Sequence, residues 1–300
     1  MWFKGNIHTH TTRSDGDSEP EVVTDWYRRN GYDFLVLTDH NHVTILEHGT
    51  RGVDGPLMIP GEEVSVELNR GKTSIHLGAI GIRGYVEPVD AGDVVPTLQA
   101  NIDAVRAAGG IVSLNHPNYT WAYDDRHIVR VSGANLLEIF NGNTVVNNYG
   151  GGGHPSCEEI WDMTLTAGRP IYGVAVDDSH HFQGDFKPSL ANPGRGWVVV
   201  EAPALDRDAV VGALESGDFY CSTGVELDEL SISQERIELV IRQEWHMAYD
   251  TEFVTRGGRV LDRRDGTRAR CDLRGDEGYV RARVLCSDGS RAWTQPVFLS

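Results

Sequence analysis

Trp2-Phe3-Lys4-Gly5-Asn6-Ile7-His8-Thr9-His10 opens the chain with a strand-like segment that runs directly into two histidines. Residues i and i+2 of an extended segment point the same way, so His8 and His10 present both imidazoles to one side. Neutral imidazole is a good ligand for Zn, Mn and Fe. A lone His-x-His pair is weak support for a metal site, so its meaning depends on the residues that come after the other predicted strands.

The next part of the chain alternates between short apolar runs and amphipathic helices for about 220 residues. The apolar runs predict strands at 2–7, 34–37, 57–59, 73–82, 111–114, 136–140, 171–176 and 197–200. Helical spacing and Gly stop signals predict helices at 20–30, 94–108, 157–167 and 206–216. This alternation predicts an α/β domain built on a parallel sheet, either open or closed into a barrel.

Beyond about Gly224 the pattern changes to strands separated by polar, Asp-Gly-containing turns. Strands are predicted at 237–241, 279–286 and 293–299, and no helix is predicted after Gly224. We therefore predict two domains. Residues 1–223 form the α/β domain, and residues 224–300 form a small antiparallel β appendage that packs against it.

Histidines and carboxylates follow most of the predicted strands, usually just past the C-terminal end. In parallel α/β sheets these ends share one face, and that face holds the active site. Taken singly, each segment has an ordinary explanation, such as a capped turn or an exposed acidic pair. Taken together, the segments contain more histidines and carboxylates than one tetrahedral ion needs as ligands, and they predict a site with two or three ions. The residues are His8, His10, Asp39, His40, Glu62, Glu63, His76, His116, Asp177, Asp178 and His180.

These segments together resemble the PHP family, named for polymerase and histidinol phosphatase. The resemblance covers about residues 1–222 and implies a distorted barrel of seven strands and helices. The matching motifs are His8-Thr9-His10, Ser14-Asp15-Gly16, Leu37-Thr38-Asp39-His40-Asn41, Gly61-Glu62-Glu63-Val64-Ser65, Ile75-His76-Leu77-Gly78, Asn115-His116-Pro117 and Asp178-Ser179-His180.

The resemblance also implies the ligand set. One metal would be held by His8, His10, Glu63 and Asp178, with Glu63 bridging to a second metal on His76 and His116. A third would be held by Asp15, His40 and His180. Glu63 and Asp178 are preferred as ligands over Glu62 and Asp177, and Asp39 is expected to orient its neighbours.

Other side chains are candidates for roles beyond holding metal. Asp178, His180 and His42 are predicted to act in catalysis. Arg13, Asn141, Arg195 and His181 are candidate substrate contacts because they follow or flank predicted strand ends. Each of these four could equally be an ordinary surface or capping residue.

The resemblance implies a hydrolase that cleaves the phosphate ester of a small molecule, such as a nucleotide, by metal-activated hydroxide. The cofactors would be two or three divalent ions of Zn, Mn or Fe. The segments 217–224 and 292–296 resemble CehA/McbA-type metallohydrolases, which include carbamate-cleaving members. A carbamate, amide or ester hydrolase is therefore the alternative. An inactive, metal-stabilised binding module is a third reading, which the complete ligand set disfavours.

The composition limits the partners. A net charge of −17 gives no general attraction for nucleic acid, so we expect a small-molecule substrate and no nucleic-acid polymer. The sequence has no signal-peptide pattern and no apolar run long enough for a membrane span, so we expect a cytoplasmic protein without a membrane partner. Four scattered cysteines predict buried apolar side chains rather than disulfides. The oligomeric state is left open.

Overall fold

A computed structural model describes residues 1–46 and 55–299. The helices are α1 (Pro20–Arg29), α2 (Val94–Ala107), α3 (Asp125–Ile128), α4 (Cys157–Thr166) and α5 (Arg207–Ser216). The helices predicted near α1, α2, α4 and α5 are confirmed. In the described residues, the single turn of α3 and a short 3-10 helix at Arg256–Gly258 were not predicted. Their ends carry the expected caps. Ser156 and Glu159 form a capping box at the start of α4, and Gly217 ends α5 in the left-handed conformation.

The strands outnumber the prediction. They are β1 (Trp2–Asn6), β2 (Phe34–Leu35), β3 (Leu57–Met58), β4 (Gly61–Leu68), β5 (Thr73–Ile80), β6 (Ile111–Leu114), β7 (Leu136–Asn141), β8 (Tyr172–Val176), β9 (Trp197–Glu201), β10 (Phe219–Ser222), β11 (Leu227–Ile232), β12 (Arg236–Ile241), β13 (Tyr249–Thr255), β14 (Arg259–Asp265), β15 (Arg268–Asp272), β16 (Tyr279–Cys286), β17 (Arg291–Thr294) and β18 (Val297–Phe298).

These strands form three sheets, and the pairings are mixed rather than parallel throughout. A five-stranded sheet has the order β4-β5-β6-β7-β8, with β4, β5 and β6 antiparallel and β6, β7 and β8 parallel. A ten-stranded sheet follows the path β14-β13-β16-β17-β10-β9-β1-β2-β3, with β18 paired to β16. A three-stranded sheet has the order β11-β12-β15.

Within residues 1–46 and 55–299, these pairings do not close into a barrel, so the expected seven-stranded barrel is not confirmed. The parallel sheet was predicted from strand–helix alternation, but β4 and β5 are joined by a tight turn instead. Asn69, Arg70 and Gly71 all adopt positive φ there, which allows the chain to reverse within a few residues. The coarser prediction of a mixed α/β fold is confirmed.

The C-terminal strands continue the sheet that contains β1 and β9. In the register of β17 against β10, Thr294 lies opposite Tyr220 and Ala292 opposite Ser222. Hydrogen bonds therefore cross the predicted boundary at 223/224. The division of the chain into two domains at this boundary stays a prediction. In the described part of the chain, no helix has the length and apolar character needed to cross a bilayer.

Candidate metal centre

The segments around His8 and Asp178 are brought together just past the ends of β1 and β8. Thr9 and Ser179 form an isolated parallel bridge, in which the His10 amide donates to the Ser179 carbonyl at 2.9 Å. The Asp178 amide likewise donates to the His8 carbonyl at 2.9 Å. This pairing places the His8/His10 pair beside the Asp178/His180 pair. The i, i+2 spacing of both motifs predicted such an arrangement.

The second half of the centre comes from β4 and β5. Glu63 lies inside β4 rather than after the strand at 57–59, so that detail of the prediction was wrong. Because side chains alternate along a strand, Glu63 faces the histidines while Glu62 faces the opposite side. There Glu62 Oε1 accepts a hydrogen bond from the Val86 amide at 2.6 Å. His76 extends from β5 towards Glu63, and its Nδ1 lies 3.4 Å from Glu63 Oε1.

All of the predicted ligands meet in one cluster, and most of them are buried. Four groups have ligand atoms within 4.8 Å of one another: His10, Asp15, His40 and His180; His8, His10 and Glu63; His8, His116 and Asp178; and His40, Glu63 and His76. The first group contains the three residues expected for the third metal. His76 is grouped with His40 rather than His116, although His116 Nε2 also lies 3.1 Å from Glu63 Oε1. The division of ligands among ions stays a prediction.

The donor atoms fit divalent cations. His8 Nε2 and His10 Nε2 lie 3.2 Å apart, and both lie within 3.3 Å of Asp178 Oδ1. His76 Nδ1 is buried and has no hydrogen-bond partner among residues 1–46 and 55–299. Buried polar atoms normally have partners, so nitrogens that converge on carboxylates in this way suit coordination by a cation.

Electrostatics favour the charged form of the carboxylates. Burial would raise the pKa of Glu63, but the facing His8 and His76 imidazoles hold that pKa well below its usual range. Burial opposes ionisation of Asp178 too, yet His8 and His10 hold its pKa well below the usual range. Ionised carboxylate is the form that binds metal, so both groups are ready to act as ligands.

Glu138, which lies in β7 and was not predicted as a site residue, supports the ligands from behind. Its Oε1 lies 2.6 Å from His8 Nδ1, and its Oε2 accepts from the His116 amide at 2.7 Å. Asn141 Nδ2 donates to Glu138 Oε2 at 2.8 Å and to Asp178 Oδ2 at 3.0 Å. Glu138 is an acid inside the apolar run Leu136-Leu137-Glu138-Ile139-Phe140. Since an acid is rarely buried without a partner, this position could have indicated a site residue from the sequence.

Asp39 belongs to none of the four ligand groups among the described residues. As predicted, it orients its neighbours by hydrogen bonds. Its Oδ1 accepts from the Thr11 amide at 2.7 Å and from Ser14 Oγ at 2.8 Å. Its Oδ2 accepts from Thr11 Oγ1 at 2.8 Å. Asp39 thereby fixes the loop that carries Asp15. Asp177 plays a similar part near Asp178, since it accepts hydrogen bonds from Tyr27 and from the amide of Arg195.

Two of the predicted ligands adopt strained backbone conformations. His116 has φ of 27° and Asp178 has φ of 47°, a region that side chains other than glycine rarely occupy. Such strain persists only where surrounding contacts enforce it, and it concentrates at functional sites. The strained residues here are ligand-type side chains, which supports a functional role for the cluster.

The other candidates are placed unevenly. His181 lines the cleft above the cluster, whereas Asn141 is buried behind it. Arg195 directs its guanidinium to the carbonyls of Gly142 and Lys187. Arg13 is exposed near Glu19, and His42 is exposed and belongs to none of the ligand groups. The proposed substrate and catalytic roles of these residues remain predictions.

Comparison with known proteins gives the fold. No protein-family profile and no curated protein matches this sequence. A two-domain protein from Bacteroides vulgatus that contains a predicted PHP-like metal-dependent phosphoesterase superposes with a TM-score of 0.56 at 16% identity, covering 99% of this chain and 95% of that one. The chain has a PHP-like fold.

Two further structures are similar over part of the chain. A predicted metal-dependent phosphoesterase from Bifidobacterium adolescentis has a TM-score of 0.39 at 17% identity and covers 61% of this chain and 89% of its own. An amidohydrolase from Chromobacterium violaceum, with bound sulfate and no metal, has a TM-score of 0.40 at 16% identity and covers 63% and 93%. In the PHP-like fold of the present chain, the cluster lies between β4 and β5 and the loops that leave β1, β6 and β8.

Proposed function

We propose that this protein is a metal-dependent hydrolase of the PHP family that cleaves a phosphate ester of a small molecule. The observation that carries the proposal is the convergence of histidines on Glu63 and Asp178 within one mostly buried cluster that opens into a cleft. The PHP-like fold of a predicted phosphoesterase supports the same conclusion. Zn, Mn and Fe are all compatible with this donor set.

The residues of the chain would hold and orient the reacting groups. Bound divalent ions would supply Lewis acidity and an activated water as the nucleophile. Glu138 accepts a hydrogen bond from His8 Nδ1, which leaves Nε2 free to act as a ligand. Asn141 donates to Asp178 Oδ2, so that Oδ1 stays directed at His8 and His10. No serine or cysteine nucleophile is needed for such a reaction.

The main alternative is a carbamate, amide or ester hydrolase that uses the same metals on a planar carbonyl. The resemblance of segments 217–224 and 292–296 to CehA/McbA-type proteins favours it. The experiment is an assay of the purified protein with added Mn, Zn or Fe against p-nitrophenyl phosphate, mononucleotides and an aryl carbamate. Phosphate release from the first two supports the proposal, and cleavage of the carbamate alone would replace it with the alternative.

Variants test the cluster directly. We expect His8→Asn and Asp178→Asn to abolish turnover while leaving the fold intact, as judged by circular dichroism. His42→Ala examines another of the predicted catalytic residues, and retained activity would remove His42 from the catalytic set. Full activity in the His8 or Asp178 variant, or activity in metal-free protein, would contradict the proposed function.

A further inference from the structure

The cleft above the metal centre is lined by two sets of residues. Its cavity measures about 350 Å³, which is the size of a small-molecule site. One set is the ligand-type histidines and carboxylates. The other lining residues are Tyr119, His181, Asn143, Thr144, Val145, Val146, Ser189 and Ala191.

No lysine or arginine lines this cleft within the described ranges 1–46 and 55–299. Arg195, which the sequence suggested as a substrate contact, is engaged elsewhere. Arg195 donates to the Gly142 carbonyl at 2.9 Å and to the Lys187 carbonyl at 3.0 Å. Compared with the side chains described at this cleft, ions in the metal centre would therefore be the main positive charge available to a substrate.

The wall formed by the turn at 143–146, whose side chains are uncharged, is fixed relative to the metal centre. The Asn143 amide donates to Asn141 Oδ1 at 2.8 Å, and Asn141 in turn donates to Asp178. Val146 continues the same turn, since its amide donates to the Asn143 carbonyl at 3.2 Å. The turn at 143–146 therefore stands at a defined distance from the position where the scissile group would bind.

A second negative charge on the substrate would be poorly accommodated at this wall. Side chains such as Val145 and Thr144 offer contact area but no opposite charge. The protein as a whole carries a net charge of −17, so the general field also opposes an additional anion. An uncharged leaving group loses nothing by this arrangement, whereas an anionic one would meet no opposite charge at this wall.

We propose that the cleft selects phosphate monoesters whose leaving group is uncharged, with the turn at 143–146 acting as the specificity-determining wall. The proposal rests on the phosphoesterase function proposed above and narrows its substrate class. Sugar bisphosphates, nucleoside diphosphates and phosphorylated carboxylic acids would be poor substrates. The phosphate of a good substrate would carry the only negative charge.

A matched pair of substrates tests the proposal in the metal-loaded full-length protein. 4-Carbamoylphenyl phosphate and 4-carboxyphenyl phosphate have the same shape and differ by one negative charge on the leaving group. We expect kcat/KM, measured by release of inorganic phosphate, to be about tenfold higher for the carbamoyl compound. Equal values, or a preference for the carboxylate, would overturn the proposal while leaving the phosphoesterase function standing.

A variant of Val145 then tests whether the turn at 143–146 decides the preference between the two substrates. Val145 is 58% exposed, so Val145→Arg can place a guanidinium at the wall without repacking the core. We expect it to shift the substrate ratio by about tenfold towards the carboxylate. Val145→Gln is the control for size without charge and should keep the wild-type ratio. The same shift in both variants, or in neither, would show that charge at this wall does not decide specificity.

The same assay distinguishes failure of the proposed phosphoesterase function from failure of the proposed substrate class. If neither aryl phosphate is hydrolysed with Mn, Zn or Fe, the phosphoesterase proposal is wrong, and the substrate class inferred from it is wrong as well. If both are hydrolysed at similar rates, only the inference about the neutral wall is wrong.

Discussion

Glu138 holds three parts of the metal centre at once: the His8 ring, the His116 amide and the Asn141 side chain. It is 1% exposed, so its carboxylate can exchange none of these partners for water at low cost. A carboxylate behind a ligand histidine fixes the ring orientation and raises its basicity. We therefore expect Glu138 to control metal affinity without contacting metal itself.

The first prediction concerns Glu138→Gln. The amide keeps the shape of the side chain but cannot accept hydrogen bonds with both terminal atoms. We expect metal affinity to fall by about 10–100-fold, with a corresponding loss of activity at limiting metal. Competition titration against a chromophoric chelator measures the affinity, and excess metal should restore part of the activity.

Glu62→Gln provides the matched control, because Glu62 is also buried but faces away from the cluster. Its metal affinity should equal that of the unmodified protein. If Glu138→Gln binds metal as tightly as Glu62→Gln, the supporting role of Glu138 is wrong.

At this scale the sequence predicted the ligand candidates and the supporting role of Asp39, but not the supporting roles of Glu138 and Asn115. Ligand-type histidines and acids stand out because few other chemistries explain such residues beside several strand ends. Glu138 and Asn115 act by contacts between distant segments, as when Asn115 Nδ2 donates to Glu63 Oε1 at 2.8 Å. Spacing along the chain carries no information about such contacts.

At the scale of elements, the loop from Thr11 to Ser18 depends on Asp39 at the end of a neighbouring segment. Asp39 binds Thr11 and Ser14, and the Thr12 amide donates to the Ser18 carbonyl at 2.9 Å. Asp15 stands on this loop with a side chain that is 54% exposed. Its position beside His180 therefore depends on the loop rather than on core packing.

The second prediction is that Asp39→Asn weakens one metal position selectively. Replacing one acceptor oxygen with an NH₂ group removes hydrogen bonds to Thr11 or Ser14 and frees the loop that carries Asp15. We expect the metal content to fall by about one ion per chain, while the His8 and Glu63 group remains loaded. Inductively coupled plasma mass spectrometry gives the content.

Asp33→Asn is the control, because Asp33 also accepts a backbone hydrogen bond, from the Lys4 amide at 2.8 Å, but is not part of the cluster. Its metal content should be unchanged. A complete loss of metal in Asp39→Asn would show that the positions are not separable.

Helices were predicted more accurately than strands, and the reason is local. Pro20, the Ser156–Glu159 box and Gly217 mark helix ends by contacts within a few residues. Strand β4 was missed because its acids were taken as residues that follow a strand. The alternation of Val64 and Val66 with Glu63 and Ser65 was the overlooked period-two pattern.

At the scale of the whole molecule, a buried ionic network joins α4 to β16. Arg281 is fully buried, and its Nη2 lies 2.8 Å from Glu158 Oε1 and 2.7 Å from Asp162 Oδ2. Tyr279 donates to Asp162 Oδ1 at 2.8 Å. Neither end of this network could be assigned from sequence, because its residues are separated by more than a hundred positions and belong to different predicted domains.

The third prediction uses the pH dependence of this network. Burial would raise the pKa of Glu158, but Arg281 and Arg283 hold that pKa below its usual value. The unfolded chain then binds the proton more readily, so this contribution is present above the unfolded-state pKa and is lost as pH falls through the folded-state pKa. We expect the destabilisation caused by Glu158→Gln to be largest near pH 7 and to shrink on acidification.

Urea unfolding of both proteins at a series of pH values measures this difference. The exposed Glu215→Gln, which removes an ion pair with Arg106, serves as the control and should change stability by less than about 1 kcal/mol. A destabilisation by Glu158→Gln that is constant from neutral to acid pH would contradict the assignment.

The fourth prediction is that residues 1–223 do not form a stable protein alone. Removing residues 224–300 takes β17 from the edge of β10 and removes Gln295, which pairs with both the amide and the carbonyl of Gly173. It also leaves Glu158 and Asp162 without Arg281. Breaking a buried ion pair costs about 3–5 kcal/mol, against a total stability of about 5–15 kcal/mol.

Thermal unfolding followed by circular dichroism tests this expectation on both lengths of the chain. The fragment should lack a cooperative transition, whereas the full chain should unfold in a single step. A fragment carrying Glu158→Gln and Asp162→Asn removes the unpaired charges and should regain part of the lost stability. A cooperative transition in the unmodified fragment at the temperature of the full chain would show that residues 1–223 fold independently. The C-terminal strands would then contribute little to the stability of residues 1–223, although one sheet runs through both regions.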